Sequence, residues 1–204
     1  SNYPASLAED YVRVFNSLGV ANNSILDIRE KSEAEKMEYI SIVESADLIF
    51  FTGGDQFRLV NILSDSTLLA AIRQRHRNGV TIAGTSAGAA AACDPMIYDG
   101  DSESLKKGNA RYCKGFGFIR NVTIDTHFVN RGRLGRLTQF LCSDACSKGI
   151  GLGENTAIII NDKDVFEVVG SEMITVVNTA GVSFTNYNEI KENDPIVIND
   201  IKIG

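Results

Sequence analysis

Val80-Thr81-Ile82-Ala83-Gly84-Thr85-Ser86-Ala87-Gly88-Ala89-Ala90-Ala91-Ala92 is the stretch from which the rest of the chain can be read. β-Branched Val80, Thr81 and Ile82 predict a short buried strand and the alanines after Gly88 predict a helix, so Gly84-Thr85-Ser86-Ala87-Gly88 falls at a strand-to-helix turn. A G-x-S-x-G pattern in that setting reads as a nucleophile elbow. The turn is too sharp for side chains at the flanking positions, and it holds Ser86 in a strained backbone conformation. Ser86 then stands at the start of a helix, where free N–H groups favour developing negative charge. The plainer alternative is a tight turn in which Ser86 only caps the helix; the strand before it and the helix formers after it favour the catalytic reading.

Upstream, Ser6 to Gly19 is punctuated as a helix: Ser6 as N-cap, Glu9 as its capping-box partner, Leu7, Tyr11, Val14, Phe15 and Leu18 as an apolar stripe, and Gly19 as the stop. Ile25 to Ile28 suggests a brief strand, and Ser32 with Glu35 opens a helix to about Glu44. Asp47 to Thr52 is an apolar run stopped by Gly53-Gly54, as expected of a parallel strand covered on both faces. Phe57 to Leu63 and Thr67 to Arg77 read as helices. Strands alternating with helices predict a doubly wound, mostly parallel α/β sheet, whose ligands bind beyond the carboxyl ends of the strands; Gly53-Gly54 and Ser86 both lie at such ends.

Downstream, Asp94 to Gly115 is polar and glycine-containing and is expected to be a long surface loop. Ile119 to Ile124 reads as a strand and Leu134 to Cys146 as a helix. Thr156 to Ile160, Val165 to Val169 and Ile174 to Val177 form β runs separated by turn residues, an antiparallel annex at the C-terminal end. Sheets of this type begin with a strand, whereas this chain begins inside a helix and ends on strand-like Ile196 to Ile203, so a first strand and the extreme C-terminus are expected to be missing.

The 204 residues, 44% hydrophobic and 23% charged, suit one domain over residues 1–204, with no linker and no repeat. No apolar run reaches membrane-span length, and a net charge of −6 without a basic block argues against a nucleic-acid partner. Cys93, Cys113, Cys142 and Cys146 have no zinc spacing and are too few for a disulfide scaffold, so they read as reduced thiols; Cys142 and Cys146 fall on one face of the expected helix, as core. Reduced thiols without a signal peptide point to the cytoplasm, although a chain that starts at Ser1 is compatible with processing and secretion.

A serine hydroxyl needs a base, and the chain holds two histidines. His76, in Arg73-Gln74-Arg75-His76-Arg77, belongs to an exposed basic helix end. His127 follows the strand ending Thr123-Ile124-Asp125 and is the candidate base. Asp125 and Glu154 are the candidate acids to orient it. Glu154, after the glycine-spaced strand Gly149-Ile150-Gly151-Leu152-Gly153, is favoured, since Asp125, two residues from the histidine in an extended segment, points the same way without having to touch it and can line the pocket instead. The order Ser, His, acid differs from the Ser, acid, His order of α/β-hydrolases. The N–H groups of Ala87 and Gly54 are the candidate oxyanion-hole donors, and the chemistry calls for neither metal nor cofactor.

Phe51-Thr52-Gly53-Gly54-Asp55-Gln56, Gly84-Thr85-Ser86-Ala87-Gly88-Ala89, Asp125-Thr126-His127-Phe128 with Arg131, Arg133, Arg136 and Leu137, and Gly153-Glu154-Asn155-Thr156-Ala157 together resemble the cyanophycinases of the peptidase S51 family, which also holds aspartyl dipeptidases. The resemblance implies a flavodoxin-like fold of class I glutamine amidotransferase type and a Ser86, His127, Glu154 triad. It also implies a substrate pocket lined by Gln56, Asp125, Thr126, Arg131, Arg133 and Arg136. The activity implied is serine exopeptidase or isopeptidase cleavage of cyanophycin-like β-aspartyl-arginine polymer through an acyl-enzyme, Asp125 meeting the substrate arginine and the arginine cluster meeting its carboxylates. Thr126 stands where polymer-degrading members carry glutamine. Two alternatives are an aspartyl dipeptidase-like enzyme on short α-linked peptides and a catalytically silent peptide-binding homologue; the resemblance further implies a homodimer.

Overall fold

Tyr11, Phe15 and Phe50 make the aromatic contact that seats the first helix on the first strand, with ring centroids 5.1 and 5.4 Å from Phe50. A computed structural model describes residues 4–100 and 104–204, and among these no helix is long and apolar enough to cross a membrane. The chain divides into two compact units, one up to Gly88 and one from Ala89 onward. Each is taken in turn.

In the first unit, α1 (Pro4–Ser17) starts two residues before the expected cap, so Ser6 lies inside the helix; proline suits a first helical position because its missing N–H would have no partner there. Its half-buried face is Leu7, Ala8, Tyr11, Val12 and Phe15, which leaves Val14 and Leu18 exposed. Ile25 to Ile28 forms no strand: β1 (Leu48–Phe51) pairs only with β2 (Thr81–Gly84) among the described residues, in parallel register with Phe51 opposite Gly84. The helix expected from Ser32 is interrupted. A 3-10 turn over Lys31–Glu35 is closed by a capping box of Glu30 and Glu33, and the extended backbone at Lys36 separates it from α2 (Met37–Ser45). Glu35 serves a different helix, accepting the Thr67 N–H at 3.2 Å at the start of α4 (Thr67–Arg77), where its carboxylate also takes the Thr67 hydroxyl. α3 (Gln56–Leu63) and α4 begin on side-chain caps, Asp55 and Ser66, each accepting the N–H three residues on. Ile40 and Val43 of α2, Val60 and Leu63 of α3, and Leu68, Leu69 and Ile72 of α4 are buried and form the hydrophobic interior of this unit.

The short helix α5 (Ala87–Ala91) leads into the second unit. The expected loop over Asp94 to Gly115 is largely β structure: β3 (Cys93–Asp94), then a hairpin of β4 (Met96–Gly100) and β5 (Ala110–Cys113), while residues 101–103 of that stretch lie outside the described residues. The expected strand Ile119 to Ile124 is two strands. β6 (Ile119–Arg120), parallel to β3, is separated from β7 (Thr123–Thr126) by Asn121, whose φ of 60° turns the chain. α6 (Leu134–Leu141) ends before Cys142, so Cys142 and Cys146 do not share a helical face.

β8 (Lys148–Leu152) pairs parallel with β7 and antiparallel with β11 (Ile174–Asn178), which carries β14 (Lys202–Ile203). Between them stand the hairpin β9 (Thr156–Ile160) and β10 (Phe166–Gly170), closed by Asn161, and the pair β12 (Phe184–Thr185) and β13 (Ile198–Asn199). The antiparallel annex expected from the alternating runs is therefore present. Alternation divides the β7–β8 pair: Ile124, Ile150 and Leu152 pack with Cys93, whereas Gly149 and Gly151 face α6 and the loop before it. A Cβ on Gly149 would lie 2.6 Å from a Leu137 methyl, and one on Gly151 would lie 2.2 Å from the Phe128 ring. The glycine spacing of β8 thus lets α6 and Phe128 come down onto the sheet.

Candidate active site

β2 ends at Gly84 and α5 begins at Ala87, so Thr85 and Ser86 are the whole turn. The Thr85 N–H donates to the Phe51 carbonyl at 3.0 Å, extending the β1–β2 pairing one residue beyond the ladder. Ser86 has φ +49°, in the left-handed region where a residue with a Cβ is strained by about 1–2 kcal/mol. The neighbours hold it there. The Gly88 N–H donates to the Thr85 carbonyl at 2.9 Å, and a Cβ on Gly88 would sit 2.3 Å from the Phe51 carbonyl oxygen, so only glycine fits between the helix start and the end of β1. A Cβ on Gly53 would lie 3.5 Å from the Ser86 Cβ, which sets the serine against the Gly53-Gly54 turn. Ala87 is buried, and Gln56, half-buried, is the first residue of α3. The Tyr11 hydroxyl bonds the Thr85 side chain, and burial raises the Tyr11 pKa.

In the second unit, β7 delivers His127 at its carboxyl end, again in the left-handed region, at φ +52°. Its Nδ1 lies 2.9 Å from Oε1 of Glu154, which follows β8. A carboxylate can only accept a hydrogen bond, so Nδ1 carries the proton; in the neutral imidazole the lone pair is then on Nε2, the tautomer a general base requires. The loop around His127 is closed by backbone bonds: Phe128 N–H to Leu152 O, Arg131 N–H to His127 O and Arg133 N–H to Phe128 O, all at 3.0 Å. His76 lies in the last turn of α4 with Nδ1 3.5 Å from the Val80 carbonyl.

Asp125 and Arg136 are each 3% exposed and pair with one another, Arg136 Nε reaching Oδ2 at 3.0 Å while its Nη2 binds Oδ1. Arg133 Nη1 joins them, 3.0 Å from the same Oδ1 and 2.6 Å from the Thr126 carbonyl oxygen. Burial lowers the Arg133 pKa, while the Asp125 charge opposes that shift. Asp125, Arg133 and Arg136 therefore bond one another within the unit, while Arg133 Nε is buried without a hydrogen-bond partner. Of the expected pocket arginines, Arg131 is exposed; Thr126 is buried with its carbonyl held by Arg133.

Beside Glu154 the sequence reading missed Glu172, which acts together with Thr156 of the quoted motif. Glu172 accepts the Glu154 N–H at 2.8 Å, and its own N–H donates to Thr156 Oγ1 at 2.9 Å, while the Thr156 hydroxyl donates to the Glu154 carbonyl at 3.2 Å. The ring fixes the backbone that carries the carboxylate. The turn residues Gly170-Ser171 preceding Glu172 were the available signal, because a turn directly before a strand returns the chain to the strand ends.

The model of Peptidase family S51 matches residues 2–168. Over its whole length the chain is 36% identical to a cyanophycinase of Geminocystis herdmanii, covering 75% of that protein, and 35% identical to a cyanophycinase of Trichormus variabilis, covering 69%. The crystal structure of a peptidase from an acI-B1 Actinobacterium is similar in fold, with a TM-score of 0.73 and 25% identity, over 90% of this chain and 73% of that one. The mixed α/β architecture with parallel strands agrees with that likeness.

Proposed function

This chain belongs to peptidase family S51, and we propose that it hydrolyses β-aspartyl-arginine amides of cyanophycin type with Ser86 as nucleophile. Membership makes it a serine-type peptidase; the residues and the substrate are our assignment. The observation that carries the assignment is the Nδ1 bond of His127 to Glu154, 2.9 Å long, because in the neutral imidazole it leaves Nε2 as the acceptor. Ser86 Oγ attacks the scissile carbonyl carbon as its proton passes to Nε2 of His127. The N–H groups of Gly54 and Ala87 bind the oxyanion, each such donor contributing on the order of 100-fold. His127 then returns the proton to the leaving nitrogen, the C–N bond breaks, and a Ser86 ester remains. Water, deprotonated by His127, releases the acid and restores the serine hydroxyl. Glu154 fixes the tautomer and stabilises the imidazolium.

Arg131, exposed beside His127, is assigned to a substrate carboxylate, and Gln56 and Thr126 to its polar groups. The test is mass spectrometry of products after incubation of wild type and Ser86→Ala with cyanophycin and with β- and α-aspartyl dipeptides. Release of β-Asp-Arg by wild type alone is expected. Cleavage of α-linked dipeptides without the polymer would overturn the substrate, and turnover by Ser86→Ala would overturn the nucleophile.

A further inference from the structure

β8 stops at Leu152 and β9 starts at Thr156, while β10 stops at Gly170 and β11 starts at Ile174. Leu152 pairs with Ile174 and Thr156 with Gly170, so Gly153-Glu154-Asn155 and Ser171-Glu172-Met173 cross the gap side by side, with Glu154 opposite Glu172. The bonds across this gap converge on Glu154. Its N–H donates to Oε2 of Glu172 at 2.8 Å and its carbonyl accepts the Thr156 hydroxyl at 3.2 Å, while Thr156 Oγ1 itself accepts the Glu172 N–H at 2.9 Å. On either side, the Gly153 N–H reaches the Met173 carbonyl at 3.2 Å and the Ser171 N–H reaches the Asn155 carbonyl at 3.0 Å, with Asn155 held at φ +51°. A Cβ on Gly153 would lie 2.8 Å from Oε2 of Glu172, so the glycine is what lets that carboxylate fold back onto the chain.

Glu154 and Glu172 are both exposed, so water could serve either in place of the other. The Glu154 side chain must nevertheless stay on Nδ1 of His127, 2.9 Å away, while the imidazole takes and returns a proton. A carboxylate on an exposed turn keeps that place only if its backbone is fixed. We propose that Glu172 is a positioning residue that acts on the reaction through Glu154, its carboxylate fixing the Glu154 backbone so that the triad acid stays on His127. What this bond asks of residue 172 is an acceptor oxygen of the right reach, and not a negative charge. Glutamine offers the same oxygen at the same distance from the chain; aspartate keeps the charge and falls short by one methylene; alanine has neither. A tie that served only to hold two turns together would make the same contacts, but its loss would not act through Glu154. The proposal rests on the triad assigned above, and its test separates the two.

The test is a double-replacement cycle on Glu172 and Glu154, read as the rate at which a small fluorophosphonate labels Ser86, with kcat and KM for a β-aspartyl dipeptide alongside. Positioning predicts that Glu172→Ala slows labelling about 10-fold and lowers kcat with little change in KM. It predicts that Glu172→Gln stays near wild type, that Glu172→Asp does not, and that Glu172→Ala costs nothing further once Glu154→Ala is in place. The proposal is overturned if Glu172→Ala folds and labels at the wild-type rate, or if its effect falls on KM alone. It is equally overturned if Glu172→Gln is as slow as Glu172→Ala, since charge would then be what matters, or if the loss is the same in Glu154→Ala protein as in wild type. Should Glu172→Ala fail to fold, Glu172→Asp takes its place in the cycle: a loss that vanishes beside Glu154→Ala supports positioning, and an unchanged rate or an additive loss contradicts it. Glu154→Ala labelled as fast as wild type would strike at the triad and take the proposal with it, whereas a slow Glu154→Ala beside an undisturbed Glu172→Ala overturns the positioning alone. If wild type turns over the dipeptide without labelling at Ser86, the assigned nucleophile fails and the same cycle is read on kcat.

Discussion

The turn that carries Ser86 and the loop that carries His127 both force a side-chain-bearing residue into the left-handed region, at φ +49° and +52°, but they hold it there by different means. The serine turn is held by backbone and by missing atoms: Thr85 bonds the end of β1, and Gly88 has no space for a Cβ. The histidine loop is held by charge, through buried Asp125 and Arg136 and half-buried Arg133. Hydrogen-bonded backbone is insensitive to charge but intolerant of one added carbon. A buried ionic cluster tolerates added carbon nearby and fails when one partner is removed.

Replacements should expose that contrast, and the largest effect belongs to chemistry alone. Ser86→Ala should lower turnover by about 10⁴-fold or more with an unchanged melting temperature, measured by product release and thermal unfolding. Asp125→Asn should destabilise the protein by about 3–5 kcal/mol in urea unfolding, because it leaves two guanidiniums without their shared anion; a loss below about 1 kcal/mol would show that the cluster does not hold the loop. Gly88→Ala should cost about 1–3 kcal/mol through the clash with the Phe51 carbonyl, whereas Gly132→Ala, at φ +59° with nothing within 4 Å, should cost only about 1 kcal/mol of backbone strain. Equal costs at the two glycines would remove the steric half of the comparison.

The smallest expected effect concerns the second unit alone, which contains all four thiols. Burial raises the pKa of Cys93, Cys113, Cys142 and Cys146 above the ordinary 9.0. In the unfolded chain they ionise near that value, so this contribution to stability is complete below it and is lost as pH rises beyond it. The urea midpoint should fall between pH 8 and about pH 10, and less so in Cys93→Ala; a midpoint equally pH-dependent in both would assign the effect elsewhere.

The serine turn was legible because its determinants are contiguous: strand formers, two glycines and alanines fix a local backbone whatever else packs on it. The β9–β10 and β11 runs were legible for the same reason. The ionic cluster was not, since opposite charges eight and eleven residues apart read equally well as ligands for a substrate or for one another. Lys36 hid a helix break because Ser32 and Glu35 imitate a capping box that Glu30 and Glu33 form in fact. The β4–β5 hairpin was obscured by polar residues on its exposed side, and Ile25 to Ile28 has strand-forming residues but no described strand to pair with.

Peptide mapping by mass spectrometry after fluorophosphonate treatment tests the central claim most directly. A single adduct on Ser86 in wild type, lost in His127→Ala, is the predicted result. An adduct on another residue, or Ser86 labelled equally fast without His127, would contradict it.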